Sequence, residues 1–207
     1  MAIPVLVLGD SGSGKSTSLR NFQPGEIGVI NVSGKPLPFK NRLGIVNTDN
    51  YTTVEAVLKK AKVKSMAIDD AQYLMANEYM RNAKIPGFQK YIDLGQNFWT
   101  LIQVAINELP DDMIVYFLSH LDRDSDGREK MKTIGKMLDE KITVEGMFTI
   151  VLKAVSHDGG YYFRTHTNGN DTVKSPMGMF DADEIDNDLK MVDEIIRNYY
   201  EIGGKEE

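Results

Sequence analysis

Val5-Leu6-Val7-Leu8-Gly9-Asp10-Ser11-Gly12-Ser13-Gly14-Lys15-Ser16-Thr17 is an apolar run that ends in a glycine-rich loop. Four consecutive aliphatic side chains predict a strand buried on both faces. The loop fits the spacing G-x-x-x-x-G-K-[ST], and a helix is expected behind it from Ser16 to about Asn21. Its glycines let backbone N–H groups turn toward a polyphosphate, and the positive end of the helix would add to them. Gly9, Asp10, Ser11, Gly12, Ser13, Gly14, Lys15, Ser16 and Thr17 are therefore the candidate phosphate cradle. Lys15 would reach the outer phosphates, and the Ser16 hydroxyl would take one place around Mg²⁺. The competing reading is an ordinary glycine-rich turn. Against it stands the full pattern, set between strand and helix as the chemistry demands. The motif points to a nucleoside-triphosphate site.

A strand feeding such a loop belongs in an α/β sheet, with ligands gathered at the C-terminal strand ends. Further apolar runs predict strands at 27–32, 65–70, 113–118 and 147–154, with a sixth at 160–167 joined by a hairpin turn at His157-Asp158-Gly159-Gly160. Helices are expected from a Thr52/Glu55 capping box to about Ala61, over 71–81, over 96–108 and over 186–200, with a shorter one over 133–140. The polar stretch 121–132 reads as a loop. The chain of 207 residues is long for one small domain and short for two. We therefore expect an ATPase-like core over 1–155, with a C-terminal hairpin and helix over 156–207 packed on it.

The second half of the site needs an acid, because Mg²⁺ takes hard oxygen ligands and keeps several waters. Asp69 ends the apolar strand Met66-Ala67-Ile68-Asp69 and is expected to face the metal through water. Asp70 is placed to orient or deprotonate an attacking water; it is equally placed to cap a helix starting at Ala71. Ser119 and His120 end a fourth strand, where a polar side chain can sense the outermost phosphate.

Other features point away from competing chemistry. With no cysteine there is no disulfide, thiolate metal site or cysteine nucleophile. Asp122, Asp124, Asp126 and Gly127 imitate a calcium loop, but its twelfth position would be Thr133 rather than glutamate. The acids between Asp181 and Asp188 suit the first turn of the closing helix. A net charge of −6 argues against a uniformly basic surface, yet Arg123, Arg128, Lys130, Lys132 and Lys136 follow the sensing strand and could meet a nucleic-acid backbone. Tyr161-Tyr162-Phe163 and Trp99 read as core or interface residues rather than base-stacking platforms. No apolar run approaches a membrane helix in length, and a cytoplasmic location, that of a host cell if the chain is phage-encoded, is expected.

With these residues in place the chain resembles the phage RecA-like ATPases of the single-strand-annealing recombinase type, which are grouped with the AAA-family ATPases. The resemblance rests on Gly9 to Thr17, Ile68-Asp69-Asp70, Leu118-Ser119-His120 and Lys174-Ser175-Pro176. It implies a RecA-like P-loop fold with a mainly parallel sheet, expected strands ordered 5-1-4-3-2. It also implies ATP and Mg²⁺ as cofactors, single-stranded DNA as partner, and homo-oligomers with ATP at subunit interfaces. Lys174 would then reach a neighbour's ATP as a cationic finger. One departure stands out: the catalytic glutamate usual near the end of strand two is replaced here by Val32-Ser33-Gly34. Other readings remain in play: a helicase-loader-like AAA+ ATPase, since Ile68-Asp69-Asp70-Ala71-Gln72 resembles that acidic motif; a small-molecule phosphotransferase with Arg123 and Arg128 as lid arginines; and a switch that binds nucleotide without turnover. A GTPase is disfavoured, because Asn47-Thr48-Asp49 is not a guanine motif.

Overall fold

The computed structural model describes residues 1–135, 138 and 141–203. Nine strands and four α-helices are found among them: β1 (Ile3–Gly9), β2 (Ile27–Asn31), β3 (Gly44–Asn47), α1 (Tyr51–Lys60), β4 (Ser65–Asp69), α2 (Gln72–Arg81), α3 (Gln89–Asn107), β5 (Ile114–Arg123), β6 (Glu129–Met131), β7 (Ile150–His157), β8 (Gly160–Arg164), β9 (Glu184–Asp186) and α4 (Leu189–Tyr200). The chain is α/β with a mostly parallel central sheet.

The sheet order is β3-β2-β4-β5-β1-β7-β8-β9, with β6 pairing antiparallel to β5 outside that path. It differs from the expected five-strand order at both ends. β3 joins parallel to β2, and β8 and β9 extend the sheet antiparallel beyond β7. Through the middle, β7-β1-β5-β4-β2 sets β5 between the strand that feeds the glycine-rich loop and the strand that ends in Asp69.

Strand periodicity explains the two cores. Along β1, Leu6 and Leu8 point into the cluster formed with α1, α2 and α3, while Val5 and Val7 point into the one formed with α4. The same alternation runs along β5, with Val115 and Phe117 on the first face and Tyr116 and Leu118 on the second. Phe98, Leu101, Ile102 and Ala105 give α3 its apolar stripe, and Leu189, Val192 and Ile196 give α4 the equivalent.

Several local expectations are corrected. The segment after the loop, Ser16–Asn21, is a six-residue 3₁₀ helix rather than an α-helix, so its dipole adds little to the loop amides. The cap of α1 is Asn50, whose side chain accepts from Thr53 N at 3.0 Å, not a Thr52/Glu55 box. α3 begins at Gln89 rather than 96. Residues 121–132 are not a loop: β5 runs on to Arg123 and returns as β6. The helix expected over 133–140 includes positions outside the described residues. No helix among the described residues is long and apolar enough to cross a membrane.

At the N-terminal ends of the strands, α4 is fastened by a buried carboxylate. Asp193 accepts from Ser65 Oγ at 2.6 Å, Tyr116 Oη at 3.0 Å and Arg197 Nε at 2.6 Å. Burial, followed by the Asp193 charge, pushes the Tyr116 hydroxyl well above its ordinary value. An Asp193→Ala variant leaves a tyrosine, a serine and an arginine without their common acceptor. It is expected to lose about 3 kcal/mol of stability, read as a lower denaturant midpoint at unchanged slope.

Candidate functional site

The loop after β1 closes by local contacts. Gly12 and Gly14 sit at φ 81° and 94°, in the left-handed region that side-chain-bearing residues avoid. A Cβ at Gly9 would lie 2.4 Å from Ser13 Oγ and 2.9 Å from the Ala154 carbonyl, so the strand can leave the sheet here only as glycine. Lys15 Nζ donates to the Gly9 carbonyl at 2.8 Å and the Asp10 carbonyl at 2.9 Å, folding its side chain back across the loop mouth. Burial lowers the Lys15 pKa, and the carboxylates of Asp70, Asp69 and Asp10 oppose that shift.

Two strands away, Asp69 reaches the same place. Ser16 Oγ donates to Asp69 Oδ1 at 2.8 Å, bridging the end of the loop and the end of β4. Burial raises the Asp69 pKa to about 6, against the hydrogen bond from Ser16. Asp70 behaves differently. Burial pushes its pKa up, but hydrogen bonding from His120 and Ser33 and the charge of Lys15 outweigh it, and the net shift is down. His120 Nε2 lies 3.5 Å from Asp70 Oδ1. The Asp70 carboxyl does not cap α2, whose N-terminus has no side-chain cap; its backbone carbonyl accepts from Tyr73 N at 2.9 Å instead.

Sequence reasoning assigned no role to Gln72. This side chain is buried; its Oε1 accepts from Ser119 Oγ at 3.2 Å and from the His120 backbone N–H at 3.1 Å, while its Nε2 has no partner among the described residues. It therefore ties the start of α2 to β5 at Ser119 and the His120 backbone, and Tyr73 packs edge-on against the His120 ring at 6.2 Å. Its place three residues after Asp69 was the only available signal. A cavity of about 350 Å³ opens here, lined by Asp10, Ser11, Gln72, Tyr73, His120 and Lys132. A larger depression of about 720 Å³ lies at the opposite end of the sheet, around the satisfied Asp193 network.

The remaining candidates are more dispersed. Asp10 is exposed and 3.4 Å from Arg123, which also bonds Glu129 at 3.0 Å; Glu129 in turn pairs with Lys153. The basic segment thus begins as part of a mixed-charge chain, on the β5–β6 hairpin rather than a loop. Asp124 organises its turn by accepting from the N–H groups of Asp126 and Arg128. Lys174 is exposed and bonded through its backbone to Val151, which is level with Leu6 of β1. It lies below the edge where Lys15, Asp69, Asp70 and His120 gather.

The residues fit a magnesium–triphosphate. Ser16 Oγ and Asp69 Oδ1 are hard oxygens already directed at one another, and Mg²⁺ uses one or two such groups with phosphate oxygens and waters. Among the described residues no cluster of three or more histidine and acidic side chains is placed to hold a metal ion. The chain matches no protein-family model and no curated protein.

The raised pKa of Asp69 sets a pH dependence. Its folded-state pKa of about 6 exceeds the ordinary 3.8, so the stabilisation of the neutral form is complete below about 3.8 and lost as the pH rises through 6. Asp69→Asn, which keeps an acceptor for Ser16, is expected to be more stable than the parent at pH 8 by about 3 kcal/mol without Mg²⁺. That advantage should disappear by pH 4. Urea titrations at the two pH values check it, and an equal difference at both would refute the burial account.

Proposed function

We propose that this chain binds Mg-ATP in the Gly9–Thr17 loop and hydrolyses it, acting on single-stranded DNA in phage recombination or replication in the manner of RecA-like ATPases. The observation that carries the reading is the Ser16–Asp69 contact, which joins the two halves of a phosphate-and-metal site from separate strands. Lys15 exchanges its carbonyl partners for outer phosphate oxygens. Ser16 would hold the magnesium directly and Asp69 through water, and the ion would supply neutralising charge to the outer phosphates. Asp70, kept ionised beside His120, accepts the proton of the attacking water or orients it. Gln72 fixes His120 where the outermost phosphate would be sensed. This assignment answers the missing strand-two glutamate with a carboxylate from β4.

The DNA role is supported by the family resemblance and by the hairpin that continues β5 past His120, bearing Arg123, Arg128, Lys130 and Lys132. ATP at subunit interfaces gives the exposed Lys174 its use: it would complete a neighbouring copy's site rather than its own. A helicase-loader-like reading is less well supported, because the chain continues into β7 and β8 rather than a helical lid. A small-molecule phosphotransferase is the second reading, favoured by the 350 Å³ cavity beside the sensing histidine. Single-turnover transfer of the γ-phosphate to nucleotides or metabolites would establish it.

ATP turnover is expected to rise when single-stranded DNA is added, and Lys15→Ala should lower it at least ~100-fold. Absence of stimulation by any nucleic acid, together with absence of binding at low salt, would overturn the DNA role. Asp70→Asn should bind ATP as the parent does and turn it over roughly 100-fold more slowly. Normal turnover in that variant would leave Asp70 a purely structural part.

A further inference from the structure

β3 forms one end of the sheet and pairs only with β2. The Thr48 N–H donates to the Asn31 carbonyl of β2 at 3.3 Å. In a parallel pair the N–H and C=O of one residue turn to one side of the strand, and those of the next residue turn to the other. Gly44 and Val46 therefore face β2, and the N–H and C=O groups of Ile45 and Asn47 face outward. All four residues of β3 are exposed, including the large apolar side chains of Ile45 and Val46 at 36% and 38%. Edges of this kind are usually blunted by a lysine, a proline or a bulge. From Leu43 to Thr48 the chain carries no proline and no charge. A depression of about 520 Å³ opens between this edge and α1, and Ile45, Val46, Val57, Ala61, Val63 and Met66 give it apolar walls.

What fits such an edge is set by its spacing. The outward groups recur two residues apart, with Val46 between them. A two-fold axis through Val46 lays a second copy of β3 antiparallel to the first, with Ile45 of each copy opposite Asn47 of the other. These residues then exchange N–H···O bonds, and no outward group of either strand is left unmet. Val46 meets its own counterpart across the axis as a β-branched pair. The charges agree with this direction, because Lys40 and Arg42 precede the strand and Asp49 follows it. Antiparallel strands bring the basic end of one copy beside the acidic end of the other, whereas parallel strands would set like charges together. We propose that β3 is the contact of a two-fold homodimer, in which one sheet continues through both copies. The contact is isologous and closes on itself. It requires no nucleotide and is separate from any assembly that places ATP between subunits. A four-residue strand and its groove make a small interface, so the dimer forms reversibly as the concentration rises.

The absence of cysteine from the chain allows a direct test of the axis. Cα atoms of a non-hydrogen-bonded antiparallel pair stand about 4.5 Å apart, within the range of a disulfide. Val46→Cys, mildly oxidised without nucleotide, is expected to give a disulfide-linked dimer. Its yield should be roughly tenfold that of Met177→Cys, since the axis holds two thiols together and mere exposure does not. Sedimentation of the parent should show a mass that doubles with concentration. Asn47→Pro removes an outward N–H and no bond to β2, and should hold the mass at that of one chain. Val46→Lys, which sets two ammonium groups across the axis, should do the same. A parent that stays monomeric, or equal cross-linking of the two cysteine variants, would overturn the proposal. So would a dimer that survives both β3 substitutions, or assembly that grows past two copies. Should Asn47→Pro not fold, Val46→Lys keeps every bond to β2 and decides the matter. No nucleotide enters these measurements, so their failure would leave the triphosphate reading untouched.

Discussion

The hydrogen bond from Ser16 to Asp69 is made between groups that belong to non-adjacent strands. With β5 interposed, β1 and β4 stand about 10 Å apart, two strand spacings, so neither backbone can bring these side chains together alone. Leu6, Phe117 and Ile68 share one level across the three strands, and Asp69 is thus one level above, two short of Gly9. The loop has to rise past its own strand and then turn back over β5 before Ser16 can meet the carboxylate. The left-handed glycines make that return path available, and the bonds from Lys15 to the carbonyls of Gly9 and Asp10 hold it closed. The architecture of the sheet and the chemistry of the site are the same constraint seen at two scales.

That constraint also sorts the charges. Lys15 is drawn out of water, and the charges of Asp70, Asp69 and Asp10 offset only part of the cost of burying it, so its pKa stays lowered. The neighbouring aspartates are pushed in opposite directions. Asp69, against the Ser16 hydroxyl, is raised by burial, whereas Asp70 has His120, Ser33 and Lys15 to keep it ionised. Adjacent carboxyls with diverging affinities for a proton can take different parts in one reaction, one facing the metal and the other handling the water. The exposed Asp10–Arg123 pair contributes little by comparison, since solvent screens it.

What could be read from the residues alone was whatever is encoded locally. The strand and loop at 3–17, the apolar runs leading to Asp69 and His120, and the helices over 72–81 and 189–200 each announce themselves through periodicity or a motif. The sheet edges do not. β3 is four exposed residues with no alternation to detect, and β9 is Glu-Ile-Asp, which reads as a polar turn until β8 offers it a partner. β5 continues through Asp122 and Arg123 because β6 returns along it, and no buried face marks that extension in the sequence. Gln72 stood in the stretch Ile68-Asp69-Asp70-Ala71-Gln72 without a role for a further reason. A lone amide has no spacing rule, and its importance comes from what surrounds it after folding, here Ser119 and the His120 backbone of β5.

The backbone at Asp70 shows how the fold accepts local strain to present the site. This residue has φ 61°, a left-handed conformation that costs a side-chain-bearing residue about 1–2 kcal/mol. It persists because its neighbours on both sides are fixed: the Asp69 carbonyl accepts from Val32 N at 3.1 Å, the N–H of Ala71 donates to the Leu118 carbonyl at 2.8 Å, and the Asp70 carbonyl accepts from Tyr73 N at 2.9 Å. The chain is therefore bonded to β5 and to the first turn of α2 within three residues, and only a sharp reversal at Asp70 satisfies both. Glycine would make that reversal without strain, yet it would leave His120 and Ser33 with no carboxylate to face. An aspartate held where glycine would relax the backbone is explained by its side chain, which faces His120 and does not cap α2.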